Sequence, residues 1–307
     1  MTQPFVSVVV PVFNGEGVLE ACLASLAAQD YPKDRYEVIV VDNNSTDATA
    51  QIVRRFPMRY VCENTRQSSY AARNRGIREA RGEVIAFTDA NCRATPEWLR
   101  RGVAALADAS VGGVAGRIEA EAPQTIAQRY AVEKRALSQE VALTENAFRP
   151  AVYTANAFYR KSVLQQAGCF DATVKSGGDA DLAWRVQERL GLPIAYASGA
   201  VIVHRHRERV WDLLRQRRNY GYGSVLNYLK HKDQMGRRTL KHAYWELRAL
   251  AGKCIRFLAS LGACVATLGC SRARAQRAAL DGLDILVFLA KKTGQVAAAI
   301  DHKVWYF

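Results

Sequence analysis

Val84–Cys92, VIAFTDANC, sets a carboxylate and an amide oxygen two positions apart, Asp89 and Asn91, where an apolar β-branched and aromatic run ends. Side chains two apart on an extended backbone face the same way. Two hard oxygen ligands so placed suit a divalent cation bridging two phosphates. The spacing equally allows Asp89 to cap the helix that Thr95-Pro96-Glu97 opens. Asn14 follows a similar run, SVVVPVF, and Asp42 follows EVIVV. Ligands of open α/β sheets bind outside the carboxyl ends of the strands, so three polar strand ends at one edge make a nucleotide-sized site. No GxGxxG follows the first strand and no GxxxxGK[ST] occurs anywhere, so neither a dinucleotide fold nor a P-loop is supported. A further carboxylate, Asp179, follows Ser176-Gly177-Gly178. Glycines there let the backbone come close to a ligand, and a helix N-terminus keeps a carboxylate ionised. Asp179 equally reads as a helix cap, and Asp181 as a structural partner for Arg185.

These groups are positioned by alternating strands and helices. Val6–Val12 reads as a buried strand, and Asn14 as the N-cap of a helix over 16–28 with Val18, Leu19, Cys22, Leu23 and Leu26 on one face. Glu37–Val41 is the next strand. Turn chemistry over Asp42–Asp47 then opens a capped helix near Asp47 that runs through Ile52, Val53 and Phe56. Arg59–Cys62 is a short strand, 69–80 a helix closed by Gly82, and Val84–Thr88 a strand. This order predicts a mostly parallel, right-handed α/β sheet. Further on come a strand at Gly112–Ile118, an amphipathic helix over 124–142, a helix from Arg160 to Gly168, a helix over Leu182–Leu190 and a strand at Ala200–Val203. Two helices, 239–268 and 274–299, linked near Gly269–Arg272, complete the chain.

A chain of 307 residues, 49% apolar, can bury a substantial core in one large domain or two. Its seven cysteines form no CxxC or Cys/His zinc spacing, and the odd, scattered set argues for free thiols in a reducing compartment. The first residues, MTQPFVSVVVPVF, have no basic n-region and too short an apolar run for a signal peptide. The expected location is therefore cytoplasmic. A net charge of +14 points to an anionic partner, or to no more than a soluble basic surface. No nucleic-acid-binding module appears.

SVVVPVFNG, EVIVVDNNSTDAT, AARNRGI, GEVIAFTDANC and PEWL, in that order, resemble the successive blocks of bacterial-type family 2 glycosyltransferases of the GT-A fold. The resemblance covers about residues 5–225. It implies a nucleotide-sugar site at Pro11, Phe13, Asn14, Asp42, Asn43, Arg73 and Asp89, and a Mg²⁺ or Mn²⁺ ion at Asp89 and Asn91. His204, after its strand, is a further candidate metal ligand, although its setting in HRHRER also fits a surface basic cluster. The YTANAFY strand resembles the acceptor side around Asn156. The Gly178-Asp179 stretch resembles the block that carries the base, which makes Asp179 the proton acceptor of an inverting transfer. RQRRNYGYG resembles in part a Gln-x-x-Arg-Trp block, giving Gln216, Arg217 and Arg218 as phosphate or acceptor contacts. Five positions depart from the family: Asn43 and Asn91 replace aspartates, Gly178 replaces a glutamate, and Asn219-Tyr220 replaces the Arg-Trp pair of processive synthases. The last favours transfer of a single sugar.

The resemblance implies a catalytic domain over 1–230, with a nucleotide-sugar-binding half (1–118) and an acceptor half (119–230), and a C-terminal helical extension over 231–307. The donor is expected to be a UDP-sugar and the acceptor a glycan or lipid-linked hydroxyl of the cell envelope. A nucleotidyltransferase would share the sheet and the carboxylates but needs a glycine-rich basic loop where Pro11–Gly15 stands. A non-catalytic binder of anionic glycan or lipid accounts for the charge but not for the strand ends. In the extension, Phe257–Ser271 is uncharged for about 15 residues, roughly 22 Å as a helix, short of a ~30 Å hydrocarbon core. Lys253, Arg256, Arg272, Arg274, Arg277, Lys291 and Lys292 flank apolar faces. That pattern fits helices lying peripherally on the anionic inner face of the cell membrane. A helical hairpin packed on the catalytic domain or on a second subunit fits it too.

Overall fold

The computed structural model describes residues 3–146, 148–265 and 271–306. The first elements are β1 (Val6–Val12), α1 (Leu19–Ala27), β2 (Tyr36–Asp42), α2 (Thr49–Val53), β3 (Arg59–Cys62), α3 (Ser69–Glu79) and β4 (Val84–Thr88). There follow β5 (Cys92–Ala94), α4 (Trp98–Ala105), β6 (Gly113–Ala120), α5 (Ile126–Glu133), α6 (Gln139–Thr144), β7 (Asn156–Arg160), α7 (Lys161–Gln166) and α8 (Gly178–Leu190). The last are β8 (Ile194–His204), α9 (Val210–Met235), α10 (Leu240–Val265) and α11 (Arg272–Asp301). They form two compact units: residues up to 121 with 137–205, and residues 122–136 with 206 onward.

The first unit is built on one eight-stranded sheet of order β3-β2-β1-β4-β7-β6-β8-β5. β3, β2, β1 and β4 run parallel, as the alternation of strands and helices requires. β7 is antiparallel to both of its neighbours, β6 and β8 are parallel, and β5 closes the order antiparallel to β8. All seven residues of β1 and all five of β4 are buried. Strands covered on both faces read as continuous apolar runs rather than as alternation. Leu19, Cys22, Leu23 and Leu26 of α1 and Trp98 and Leu99 of α4 pack in the same core.

Several helices differ from the sequence expectation: α8 begins at Gly178 rather than Leu182, and α9 (Val210–Met235) was not foreseen. α1 begins at Leu19 rather than 16, because the Gly15 carbonyl accepts the N–H groups of both Val18 and Leu19. Asn14 therefore does not cap it: its backbone is left-handed (φ 49°) and its Oδ1 accepts the Thr46 N–H at 2.9 Å. The helix expected near Asp47 shortens to the five residues of α2, with Asp47 bonded to the Thr49 N–H at its entry. The helix expected over 124–142 is two, α5 and α6, because Arg135 and Leu137 adopt positive φ (48° and 64°).

The second unit is helical. Ala127 and Tyr130 of α5, Leu213 of α9 and Leu280, Leu283 and Val287 of α11 form one buried cluster. Val225 of α9 joins Ala298, Ala299 and Tyr306 in another. α9 and α11 touch backbone to backbone. A Cβ on Gly221 would lie 1.9 Å from the Lys291 carbonyl, and one on Gly294 1.9 Å from that of Arg218. The buried Asp284 carboxylate accepts from the Tyr130 hydroxyl (2.7 Å) and the Lys253 ammonium (2.6 Å), tying α5, α10 and α11 together. Among the described residues no helix is long and apolar enough to cross a membrane. Residues 266–270 of the uncharged stretch, and Phe307, lie outside the described residues. Cys22, Cys62, Cys92, Cys169 and Cys254 are free thiols, as expected, whereas Cys264 is disulfide-bonded.

Candidate active site

α3 brings the first functional group to the carboxyl edge of the sheet. Gly76 lets the helix lie directly on β1, since a Cβ there would meet a Val9 methyl at 2.3 Å. Asn74 exchanges two hydrogen bonds with the Phe170 backbone, at 2.8 and 3.0 Å, which anchors the segment leading to α8. Between these two positions Arg73, 5% exposed, reaches the Asp89 Oδ1 at 2.6 Å. Asp89 stands just past the end of β4 with its side chain 31% exposed. A buried guanidinium opposite a partly open carboxylate leaves the second carboxylate oxygen for a ligand.

Asp179 lies in the first turn of α8. The N-cap is Gly177, not Asp179, and its φ of +84° suits glycine. The Asp179 Oδ1 accepts from the Ala180 N–H (3.1 Å) and the Tyr70 hydroxyl (3.3 Å). Burial pushes its pKa above the ordinary carboxylate range, and the attraction of Arg73 offsets only part of that rise. Asp181 is structural as expected: buried, it holds Arg185 at 2.9 and 3.1 Å, while Arg185 also donates to the Ala167 and Cys169 carbonyls.

The antiparallel β5–β8 pair sets Cys92 opposite His204 and so brings Asn91 beside that histidine. The Asn91 Nδ2 donates to the Arg205 carbonyl at 2.8 Å, which fixes which way the amide faces. The same nitrogen lies 3.1 Å from the His204 Nε2. The His204 Nε2 is thereby an acceptor, and the amide oxygen of Asn91 points away from the histidine. Asp42 is 4% exposed and accepts from the Ser45 N–H (2.9 Å) and the Tyr60 hydroxyl (2.6 Å). Burial and the Asp42 carboxylate push the Tyr60 hydroxyl's pKa up, so it remains a donor. Phe13, 52% exposed, offers an aromatic surface just past β1, next to the buried Pro11.

The Glycosyl transferase family 2 model matches residues 7–168. The chain belongs to glycosyl transferase family 2. It is 34% identical over 253 residues to the glycosyltransferase AglE of Haloferax volcanii, spanning 80% of this chain and 81% of AglE. It spans 16% and 65% of two other curated relatives, a poly(ribitol-phosphate) beta-glucosyltransferase and a pre-mycofactocin glycosyltransferase. Among solved structures it resembles the mannosyltransferase PcManGT from Pyrobaculum calidifontis, in complex with GDP-Man and Mn²⁺ (TM-score 0.66, 23% identity, 96% of this chain and 88% of that one). It also resembles S. aureus TarS 1-349 in complex with UDP-GlcNAc (TM-score 0.51, 18% identity, 99% and 93%). At those identities the likeness establishes the fold, GT-A.

Several positions of this family 2 glycosyltransferase differ from what the sequence led one to expect. Asn43 is committed inside the protein: Nδ2 donates to the Glu63 and Arg66 carbonyls (2.6 and 2.9 Å) and Oδ1 accepts the Ser68 N–H (2.7 Å). It holds the loop before α3 rather than leaving its oxygen open to a base. Asn156 is 0% exposed and corrects the expected acceptor contact. Its Oδ1 accepts from the Trp98 Nε1 (2.8 Å), and its Nδ2 donates to the Arg117 and Ala200 carbonyls (2.8 and 2.9 Å). Those carbonyls flank the register shift between β6 and β8, so Asn156 supplies the partners that the irregular ladder leaves out. Gln216, Arg217 and Arg218 lie on α9 in the second unit, with the Arg217 guanidinium 5.6 Å from the Tyr220 ring centroid. Tyr70, Asn74 and Tyr60 had no part in the expected site. Asn74 lies within the AARNRGI block and Tyr70 directly before it, whereas nothing in the sequence pointed to Tyr60.

The residues fit a cation only as an incomplete set. Among the described residues no three His, Cys, Asp or Glu side chains form a cluster able to hold one. Asp89 and the Asn91 amide oxygen are hard oxygen donors of the kind Mg²⁺ and Mn²⁺ take up together with substrate phosphates. His204 joins them only if its bond with Asn91 is given up.

Proposed function

We propose that this glycosyltransferase moves one sugar from a UDP-sugar to a hydroxyl of a glycan or lipid-linked acceptor by a single inverting displacement. The observation that carries this reading is the pair of carboxylates flanking Arg73. Asp89 is ion-paired and partly open, and Asp179 has its proton affinity raised by burial. Two carboxylates in such different surroundings are the usual division of labour between a site that binds charge and a site that accepts a proton. Asp89, with the Asn91 oxygen, would hold Mg²⁺ or Mn²⁺, which stabilises charge developing on the leaving diphosphate. Arg73 holds Asp89 in place and adds positive charge beside it. Asp179 takes the proton of the attacking hydroxyl. Phe13 provides a stacking face for the base, and Asp42, oriented by Ser45 and Tyr60, an acceptor for the nucleoside. TarS in complex with UDP and with UDP-GlcNAc favours a UDP donor. The GDP-Man of PcManGT makes a GDP-sugar the competitor. Thermal shift with each nucleotide sugar, with and without Mn²⁺, tests the reading. A Mn²⁺-dependent shift with UDP-sugars that is lost in Asp89→Ala supports it, and no shift with any nucleotide sugar rejects it.

A specific surface supports work on an anionic membrane. Along α10, Leu240, Tyr244, Leu247, Ile255 and Leu258 recur at helical spacing and are 57–75% exposed. Lys241, Arg248 and Arg256 lie exposed on the same helix. The one acid of α10, Glu246, is instead held by Arg238 and Lys292. Arg256 also reaches the buried Asp284 at 3.6 Å, so Lys241 and Arg248 are the cations that edge this apolar stripe, which suits a bilayer carrying anionic headgroups. A second copy of the chain on this face would set like charges together. Sedimentation with phosphatidylglycerol vesicles should remove the protein from solution, and Leu247→Glu with Ile255→Glu should leave it there. Equal binding of the double variant would reject this surface.

A further inference from the structure

Gly178 stands where the family resemblance leads one to expect a glutamate, and the structure shows what fills the space. A Cβ on Gly178 would lie 2.9–3.1 Å from three carbons of the Tyr70 ring. Gly178 has no positive φ, so the glycine is required by the neighbouring ring and not by its own backbone. Tyr70 is 5% exposed. Its ring stacks on Phe170 with centroids 5.6 Å apart and planes 20° apart, and the Arg73 guanidinium lies 5.7 Å from its centroid. Its hydroxyl makes two bonds at the start of α8: it accepts the Gly178 N–H at 3.0 Å and faces the Asp179 Oδ1 at 3.3 Å. A hydroxyl has one proton and two lone pairs. With the Gly178 N–H donating to it, its own proton points at Asp179.

We propose that Tyr70 is a positioning residue for the transfer: it fixes the start of α8 and the orientation of the Asp179 carboxylate through one hydroxyl, and Gly178 is the complementary space that admits its ring. The inference rests on the reading of Asp179 as the base and deepens it. The first turn of α8 contains no Ser, Thr or Asn at its N-cap, because Gly177 occupies that position. The Gly178 N–H is one of the orphan donors at a helix start, and a side chain of α3 satisfies it. A single group thus links the helix carrying Arg73 to the turn carrying Asp179. The charged and titratable groups that bear on Asp179 are Arg73 and Tyr70 from α3, Asp89 beyond β4 and Tyr159 of β7. Donation by Tyr70 favours the ionised carboxylate, opposing its burial.

Tyr70→Phe keeps the ring, its stacking on Phe170 and the fit against Gly178, and removes only the hydroxyl. Turnover should fall about tenfold with the donor KM within about twofold. The acid limb of the turnover profile should move to higher pH by about half a unit to one unit, the size one lost hydrogen bond supplies. Gly178→Ala should lower turnover in the same way. In a Tyr70→Ala background, where the ring no longer occupies the space, adding Gly178→Ala should cost nothing more. Unchanged turnover and pH profile in Tyr70→Phe, with Asp179→Asn inactive, would overturn the role of Tyr70. Full additivity of Gly178→Ala and Tyr70→Ala would overturn the fit between them. Retained turnover in Asp179→Asn would instead remove the base assignment, and the role of Tyr70 with it.

Discussion

Asp89 and Asn156 occupy nearly the same place in the sheet and have opposite fates. In the antiparallel β4–β7 pair Thr88 lies opposite Asn156, so Asp89 is one residue further along the same edge. Both are polar residues at the end of an apolar strand, and the sequence marked both as site residues. Asn156 is wholly buried, and its oxygen and both amide hydrogens are bonded within the protein. Asp89 has one oxygen on Arg73 and the rest of its carboxylate partly open. A polar strand end becomes a binding group when its hydrogen-bonding capacity is left over, and a structural knot when the fold consumes it. The same distinction separates Asn91, whose amide oxygen is spare, from Asn43, whose amide group is spent on the loop before α3.

The largest effect that would sharpen this contrast is expected at Asp179. Asp179→Asn keeps the shape of the side chain but cannot accept the proton, and loss of a general base costs about 10²–10⁴-fold in turnover. Nucleotide affinity should stay near normal. An active variant in a direct product assay would move the base elsewhere.

Asn156→Ala comes next. It strands the Trp98 N–H and two carbonyls in the core, and should destabilise by about 3 kcal/mol or more. Denaturant unfolding would show this, while the folded fraction keeps its nucleotide affinity. Weakened nucleotide binding with stability intact would restore Asn156 to the site and break the comparison.

Asp89→Ala should reverse that pattern, with a modest loss of stability and about a tenfold or larger loss of Mn²⁺-dependent nucleotide affinity by calorimetry.

Asp179 also predicts a pH dependence. Its pKa is raised in the folded state, so the fold favours the protonated form. Its contribution to stability is fully present below the unfolded carboxylate pKa and is lost as pH rises through the raised folded value. Asp179→Asn should therefore melt a few degrees above wild type near pH 8, and the gap should close as pH falls toward 4. A gap that widens on acidification would contradict the raised pKa.

The smallest expected change is at Asn91. Asn91→Asp adds charge to a spare oxygen and should tighten Mn²⁺ binding a few-fold in a titration. No change would show that this oxygen faces away from the ion.

Much of the sheet was legible because buried parallel strands are runs of Val, Ile, Ala and Phe. Val6–Val12 and Val84–Thr88 carry their bounds on their face. Helix ends were less so. Nothing in Arg135 or Leu137 announces a positive φ, and the bond from Asn14 to Thr46 spans 32 residues. α10 was visible as a helix, but which of its apolar residues face outward was not.

The sequence by itself determined the family, the alternation of strands and helices up to β4, and the carboxylates on which chemistry could rest, because those are carried by residue type and local spacing. The tertiary structure alone decided which polar groups are free to act. Whether Asn156 is spent, Asn91 turns its oxygen away from His204, or Tyr70 meets Asp179 depends on partners 44, 113 and 109 residues away. Hydrogen-bonding capacity is used up by whatever the fold brings within about 3 Å, and no local pattern records which distant group that will be.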